Sequence, residues 1–286
     1  MAKTLFDLVY ATAVKLPGGL REGTATGGST TTIIDTVGFK NLDNDYLNGG
    51  TAFIIQTTDA LAPQGQYRVI SDYVASTKTA TVTPAFSATA GAGDMYGVMT
   101  SRYPLSTIIQ KINEVLVSLP AYPVTDVANL ATVLNKREYL LPATTRRDLR
   151  DVEIEEGTEG DTDDRRYTRV YNWDVIPATA TTGELLRLTY DLPVGRILKL
   201  TYAEYHAPMR DYDDELEEVV HPDRIIFEAA AGLVQWYQDK SRTKDYKETL
   251  AMLQTLAERA KLNYPMPCYP SKPGKIALPW PYFGRR

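Results

Sequence analysis

The chain has 286 residues, with 31 Lys and Arg against 36 Asp and Glu for a formal net charge of −5, one cysteine, two histidines and 43% hydrophobic residues. That length allows one large domain or two to three smaller ones, and the hydrophobic share supports a buried core. The acidic balance argues against phosphate-gripping recognition of DNA or RNA, and the lone Cys268 excludes an internal disulfide framework and a cysteine zinc site, which fits assembly in a reducing cytoplasm.

The opening stretch, MAKTLFDLVYATAVKLPGG, predicts a short amphipathic helix over about residues 3–16, stopped by Pro17-Gly18-Gly19. Asp7 falls inside what would be the apolar core of a signal peptide, and no small-residue cleavage site follows, so the helix reading is preferred. No segment reaches the length of a membrane span, so a soluble chain is expected.

Residues 23–100 read as a small antiparallel β-module. Short apolar runs alternate with turns at NGG, PQGQ and STKT, the pattern of a barrel or sandwich. Ile33 opposes Ile34 across its strand, Phe53 and Ile55 share a face, and so do Tyr67, Val69 and Tyr73; Tyr96 and Val98 alternate with Met95.

Within 101–134, SRYPLSTIIQKINEVLVSLP places Leu105, Ile108, Ile109, Ile112, Val115, Leu116 and Leu119 at helical spacing, with Pro104 in the first turn and Pro120 as the stop. The stripe is wide and predicts packing in a main core. Residues 135–209 form a second β region. In it ELLRLTYDL (Leu186, Leu188, Tyr190 inward) and RILKLTYAEYH (Leu198, Leu200, Tyr202 inward) are expected to pair as a hairpin across PVG. EIEEGTEGDTDDRR reads as an exposed acidic loop.

Residues 210–263 comprise an acidic link, DYDDELEE, and an antiparallel helical hairpin. One helix opens at Pro222 with Ile225, Ile226, Ala229, Leu233, Trp236 and Tyr237 as its apolar positions; the other, about 244–262, uses Tyr246, Leu250, Leu253, Ala257 and Ala260. Ala229-Ala230-Ala231-Gly232 keeps the first slim enough for close helix contact. Residues 264–286 are rich in proline and carry Tyr264, Tyr269, Trp280, Tyr282 and Phe283, so they read as an extended docking arm without a fold of its own. The fold class expected from these parts is α+β, a helical-bundle core with β-sandwich or barrel insertions and an extended C-terminal arm.

No catalytic constellation emerges, and no enzyme is expected. His206 and His221 flank the acidic run, with His221 at a helix start; no GxSxG elbow and no phosphate-binding GxxxxGK[ST] loop is present. The acidic clusters, Asp161, Asp163 and Asp164, and then Asp211, Asp213, Asp214, Glu215, Glu217 and Glu218, match no metal-ligand spacing and read as solvated faces, so no metal and no cofactor is expected.

The order of these parts resembles the head–tail adaptor (connector, or neck) proteins of tailed bacteriophages. The likeness runs over about residues 101–262, on YPL opening the strong helix, LKLTYAEYHAP, and HPDRIIFEAAAGLVQWY. The opening module, GG…AFII…G…YRVISDYV…TVTPAF, resembles a β-domain of phage structural proteins; small adaptors lack such a module.

The resemblance implies a structural virion protein at the neck, assembled in the host cytoplasm. It implies a ring homo-oligomer, commonly of twelve copies, touching the portal protein and tail or neck proteins, with DNA only passing through its lumen. It also implies that the arm (Tyr264, Tyr269, Trp280, Tyr282, Phe283) docks on the portal. An acidic lumen would not grip phosphates, which nominates Asp211, Asp213, Asp214, Glu215, Glu217 and Glu218 as lumen residues. The β-module would then decorate the ring or bridge to a neighbour. Another virion component (head decoration or tail protein), or a carbohydrate-binding receptor-recognition protein using tyrosine-rich sheets, are the alternatives; the chain has 19 Tyr against 6 Phe and 3 Trp.

Overall fold

A computed structural model describes residues 3–127, 130–141, 147–156, 166–179, 183–241 and 246–266. The chain divides into two compact units, Met1–Leu119 with His206–Pro265, and Pro120–Tyr205.

The first unit opens with α1 (Leu5–Lys15), followed by β1 (Leu20–Thr24), β2 (Gly27–Gly28), β3 (Thr32–Ile34), β4 (Thr51–Gln56), β5 (Gln66–Val74), β6 (Thr79–Thr83), β7 (Met95–Met99) and α2 (Leu105–Ser118). The seven strands make one antiparallel sheet in the order β1-β7-β4-β5-β6-β3-β2, curled into a half-barrel. Its concave side is filled by Ile33, Ala52, Ile54, Ile70, Tyr73 and Tyr96, with Phe39 and Phe86 added from loops. Gly50 runs so close to β7 that an added Cβ would meet the Met99 carbonyl oxygen at 2.0 Å, so no side chain fits there.

The β4–β5 pair is buried on its other side as well. Phe53 and Tyr67 lie edge to face, and Phe6 of α1 stacks on Tyr67 at 6.4 Å with an interplanar angle of 10°. Strict alternation puts Tyr67 and Tyr73 on one face; the structure separates them. A bulge between Ile70 and Asp72 adds one residue to β5, so Tyr73 turns inward beside Ile70 while Val69 stays 40% exposed. One extra residue reverses the parity of everything after it. Tyr96 and Val98 face the core and Met95 faces out, as their alternation requires.

The unit is completed by α3 (Pro222–Ser241) and α4 (Lys247–Asn263). Ile108, Ile112, Val115 and Leu116 are the buried stripe of α2, and Ala229, Ala230 and Ala231 are buried on α3, which packs against α1, α2 and α4.

The second unit holds β8 (Tyr122–Asp126), β9 (Glu138–Leu140), β10 (Arg147–Glu156), β11 (Arg166–Arg169), β12 (Trp173–Ile176), β13 (Leu185–Leu188) and β14 (Leu198–Glu204). A four-stranded sheet, β11-β10-β14-β8, and a three-stranded sheet, β12-β13-β9, contribute Leu149, Val152, Leu198 and Leu200, and Tyr139, Leu186 and Leu188, to one shared core. After a bulge at Arg150, the buried Asp151 carboxylate accepts from Arg169 Nε and Nη2 at 2.6–2.9 Å.

The structure departs from two expectations of the sequence. The core is not a helical bundle: the chain is mostly antiparallel sheet, with four helices among the described residues. Most of the largest fully buried side chains, Tyr73, Tyr96, Phe39 and Phe53 among them, belong to the half-barrel. An apolar helical stripe says that a face is covered but not by what. The expected hairpin across PVG is also absent. The strand β13 pairs with β12 and β9, β14 pairs with β10 and β8, and Tyr190 lies beyond the end of its strand, 42% exposed. Inward residues on two facing sheets show the same alternation as inward residues on two paired strands.

Candidate functional site

The acidic link and the first residues of the arm meet in the first unit. Residues 210–218 run as a strap along the start of α1. Leu5 N donates to the Asp214 carbonyl (2.8 Å), Phe6 N to the Tyr212 carbonyl (3.0 Å), and Leu216 N to the Lys3 carbonyl (2.7 Å). Thr4 and Asp7 add a capping box, Asp7 N to Thr4 Oγ1 at 3.3 Å and Thr4 N to Asp7 Oδ2 at 3.2 Å. The first-turn N–H groups that a helix leaves open are therefore satisfied largely by the strap's carbonyls.

Side chains hold the strap from three further directions. Asn113 of α2 makes two bonds to Met209, Nδ2 to the carbonyl and Oδ1 from the N–H, each 2.8 Å. Buried His206 bonds through Nδ1 to Glu217. Arg68 spreads its guanidinium over Tyr212 (5.5 Å) and Phe86 (5.6 Å). Asp214 Oδ2 accepts from Arg210 N (2.5 Å) and Asp211 N (2.9 Å), and these backbone bonds, Arg210's first, hold its carboxyl below the usual carboxylate range.

The six nominated lumen residues are thus not equivalent. Asp214 and Glu217 are committed to the fold, whereas Asp211, Asp213, Glu215 and Glu218 are exposed. Asp214→Ala should lower unfolding free energy by about 1 kcal/mol through loss of that turn. Asp213→Ala should leave the urea midpoint where it is. Equal effects would mean that the strap is not held as described.

The root of the arm is equally fixed. Tyr264 ends α4, its N–H bonding to the Ala260 carbonyl (3.0 Å). Its ring stacks on His221 with centroids 3.4 Å apart and planes within 4°, and its carbonyl accepts from Arg224 Nη1 at 3.1 Å. Asp223 N donates to His221 Nδ1 (3.3 Å), so this imidazole sits at the start of α3, as its place before Pro222 suggests. Between strap and root lies a cavity of about 400 Å³ lined by Lys3, Val219, His221, Pro222, Tyr264 and Pro265 among others.

Of the arm residues, Tyr264 alone lies among the described residues; Tyr269, Trp280, Tyr282 and Phe283 lie outside them. Of the acidic stretch expected as a loop, residues 157–165 also lie outside them, whereas Glu153–Glu156 and Arg166 are not loop but paired residues of β10 and β11. Among the described residues no group of three or more His, Cys, Asp or Glu is placed to hold a metal ion, and no helix is long and apolar enough to cross a membrane. Sequence reasoning missed the strap's service to α1. The signal available was the Thr4-to-Asp7 spacing, which announces a helix start but not the backbone that completes it. No protein-family model matches this chain, and no curated protein matches it.

Proposed function

We propose that this chain is a structural virion protein, a tailed-bacteriophage head–tail adaptor that assembles with copies of itself into a ring, commonly twelve-fold, between portal and tail. DNA passes through the lumen without being gripped. The reading is carried by the anchored root of the arm: an aromatic, proline-rich sequence continues from a point that Tyr264, His221 and Arg224 fix to the helices. A tether pinned at its base lets binding by its tip transmit position to the folded unit.

Two further observations support it. The helices keep apolar side chains exposed, Val117 on α2 and Met252 and Leu262 on α4, which suits lateral contact between copies. The exposed carboxylates of the strap suit a surface that DNA slides past, because they add no phosphate contacts.

A chain truncated after Met266 tests this. It keeps α4 and the Tyr264 anchor, so its circular dichroism and melting temperature should match those of the full chain. Its affinity for purified portal should fall by at least about tenfold, as loss of aromatic anchors does. Full-chain rings capping portals in negative stain, lost on truncation, are the expected images. Portal binding that survives truncation unchanged overturns the arm's role, and a full chain that neither forms rings nor binds portal overturns the adaptor reading.

A further inference from the structure

The second unit carries a clamped pair of turns that holds apolar side chains out into solvent. One turn, Val133 to Lys136, is closed by Lys136 N donating to the Val133 carbonyl (3.2 Å), with Asn135 in the left-handed region at φ 58°. The other has Gly195 at φ 76°, and its ends are bridged by a neighbour. The buried Thr132 hydroxyl donates to the Pro193 carbonyl (2.5 Å) and accepts from Arg196 N (2.8 Å). Gly195 N and Thr132 N then bond to the Thr132 and Arg196 carbonyls, at 2.9 and 2.8 Å.

Below the turns Tyr139 Oη accepts from Val133 N (3.2 Å) and donates to the Lys136 carbonyl (2.9 Å), and at the flank Arg137 grips Asp191 through two bonds of 2.8 and 2.9 Å. The result is a stiff tip on which Leu134 is 69% exposed and Val194 55%. A loop that needed only solubility would carry polar residues at those two positions. This one is built to present apolar ones with little ordering entropy left to lose on contact. Lys136 is exposed beside them, its ammonium over the Tyr139 ring, with no carboxylate partner among the described residues.

The chemistry that receives such a tip is an apolar recess edged by carboxylates, and the first unit holds one. A cavity of about 210 Å³ is lined by Leu116, Pro208, Met209 and Leu216, with Glu215 and Glu217 of the strap among its other lining residues. We propose that the Leu134–Val194 tip of one copy seats in this recess of a neighbouring copy, with Lys136 against Glu215. Because tip and recess are different surfaces, the contact is head to tail, the kind that propagates into a ring when its rotation closes. The inference rests on the self-assembly in the reading above and supplies the interface for it.

The test uses the full chain. A benzophenone amino acid at position 134, in a mixture of isotope-labelled and unlabelled copies, should crosslink between copies to peptides within residues 207–217. Leu134→Asp with Val194→Asp should weaken self-association on the order of 100-fold by sedimentation, with unchanged circular dichroism, because both substitutions fall on solvent-exposed tips. Lys136→Glu should weaken association, and Glu215→Lys in the same chain should restore it.

The proposal is overturned if the doubly substituted chain associates like the original. It is also overturned if crosslinks fall outside 207–217, or if the substitutions instead abolish binding to anionic phospholipid vesicles while self-association stays intact. Rings that survive the double substitution leave the adaptor reading standing without this contact; tip-dependent dimers or open chains that never close do the reverse.

Discussion

Asp35→Ala should cost the first unit about 4 kcal/mol of stability, one of the largest effects available from a single polar residue in this chain. The Asp35 side chain is 61 residues from Tyr96 in sequence yet accepts its hydroxyl at 2.6 Å, and its other oxygen accepts from Val37 N and Gly38 N at 2.8 Å each. Asp35 and Tyr96 are both buried, so the alanine leaves a phenol and two amides short of an acceptor where water has little access. Neighbouring glycines show how closely the group is fitted. A Cβ on Gly38 would come 2.3 Å from Asp35 Oδ2, and one on Gly23 would come 2.6 Å from Tyr96 Oη. Tyr96→Phe should cost less, about 1–2 kcal/mol, because the carboxylate keeps its two backbone donors. Urea unfolding of the full chain, followed by tyrosine fluorescence, reads both. A loss under about 1 kcal/mol for the alanine would mean that the cluster is not an organising feature of the half-barrel.

How much of this was legible follows from which interactions are local. The helix α1 stops where Pro17-Gly18-Gly19 demands, and α2 lies between Pro104 and Pro120, because helix boundaries depend on residues within one turn. The bulge in β5 was not legible, since nothing in QYRVISDYV distinguishes an inserted residue from a regular one. Partnership was not legible either. Alternation puts Leu186 and Leu198 inward, as found, but it does not say which strands lie beside them, because alternation carries no address. At the candidate site the aromatic Tyr264 and the acidic run stand out by composition. Their partners do not: His221 lies 43 positions from Tyr264 (264 − 221), and α1 is closed by carbonyl groups of Tyr212 and Asp214, which any residue would possess. The same holds for Thr132, one threonine among many until the Pro193–Arg196 turn closes around its hydroxyl.

Alkaline pH should unfold the first unit cooperatively, beginning just above pH 10. Burial, as the largest cause in each case, raises the phenols of Tyr67, Tyr96 and Tyr103. Asp211 and Asp214 add to it at Tyr67, the Asp35 hydrogen bond at Tyr96, and Tyr246 at Tyr103, which is pushed up to about 12. An unfolded tyrosine ionises near pH ~10. Between that value and the raised folded values, the unfolded chain releases protons that the folded chain retains. The stabilisation is therefore complete below pH ~10 and lost as pH climbs. With three such groups the slope approaches about 4 kcal/mol per pH unit, enough to consume an ordinary domain's stability by pH ~12. Tyr67 and Tyr103 permit a clean check, since neither hydroxyl has a hydrogen-bond partner among the described residues. Tyr67→Phe and Tyr103→Phe remove an ionisable group without breaking a bond, and each should flatten the slope by about 1.4 kcal/mol per pH unit. Tyrosinate absorbance and far-ultraviolet circular dichroism, followed together from pH 9 to pH 12.5, report the outcome. Folding lost in step with the absorbance rise bears out the linkage, whereas full ionisation with the dichroism intact would show that these phenols are open to solvent.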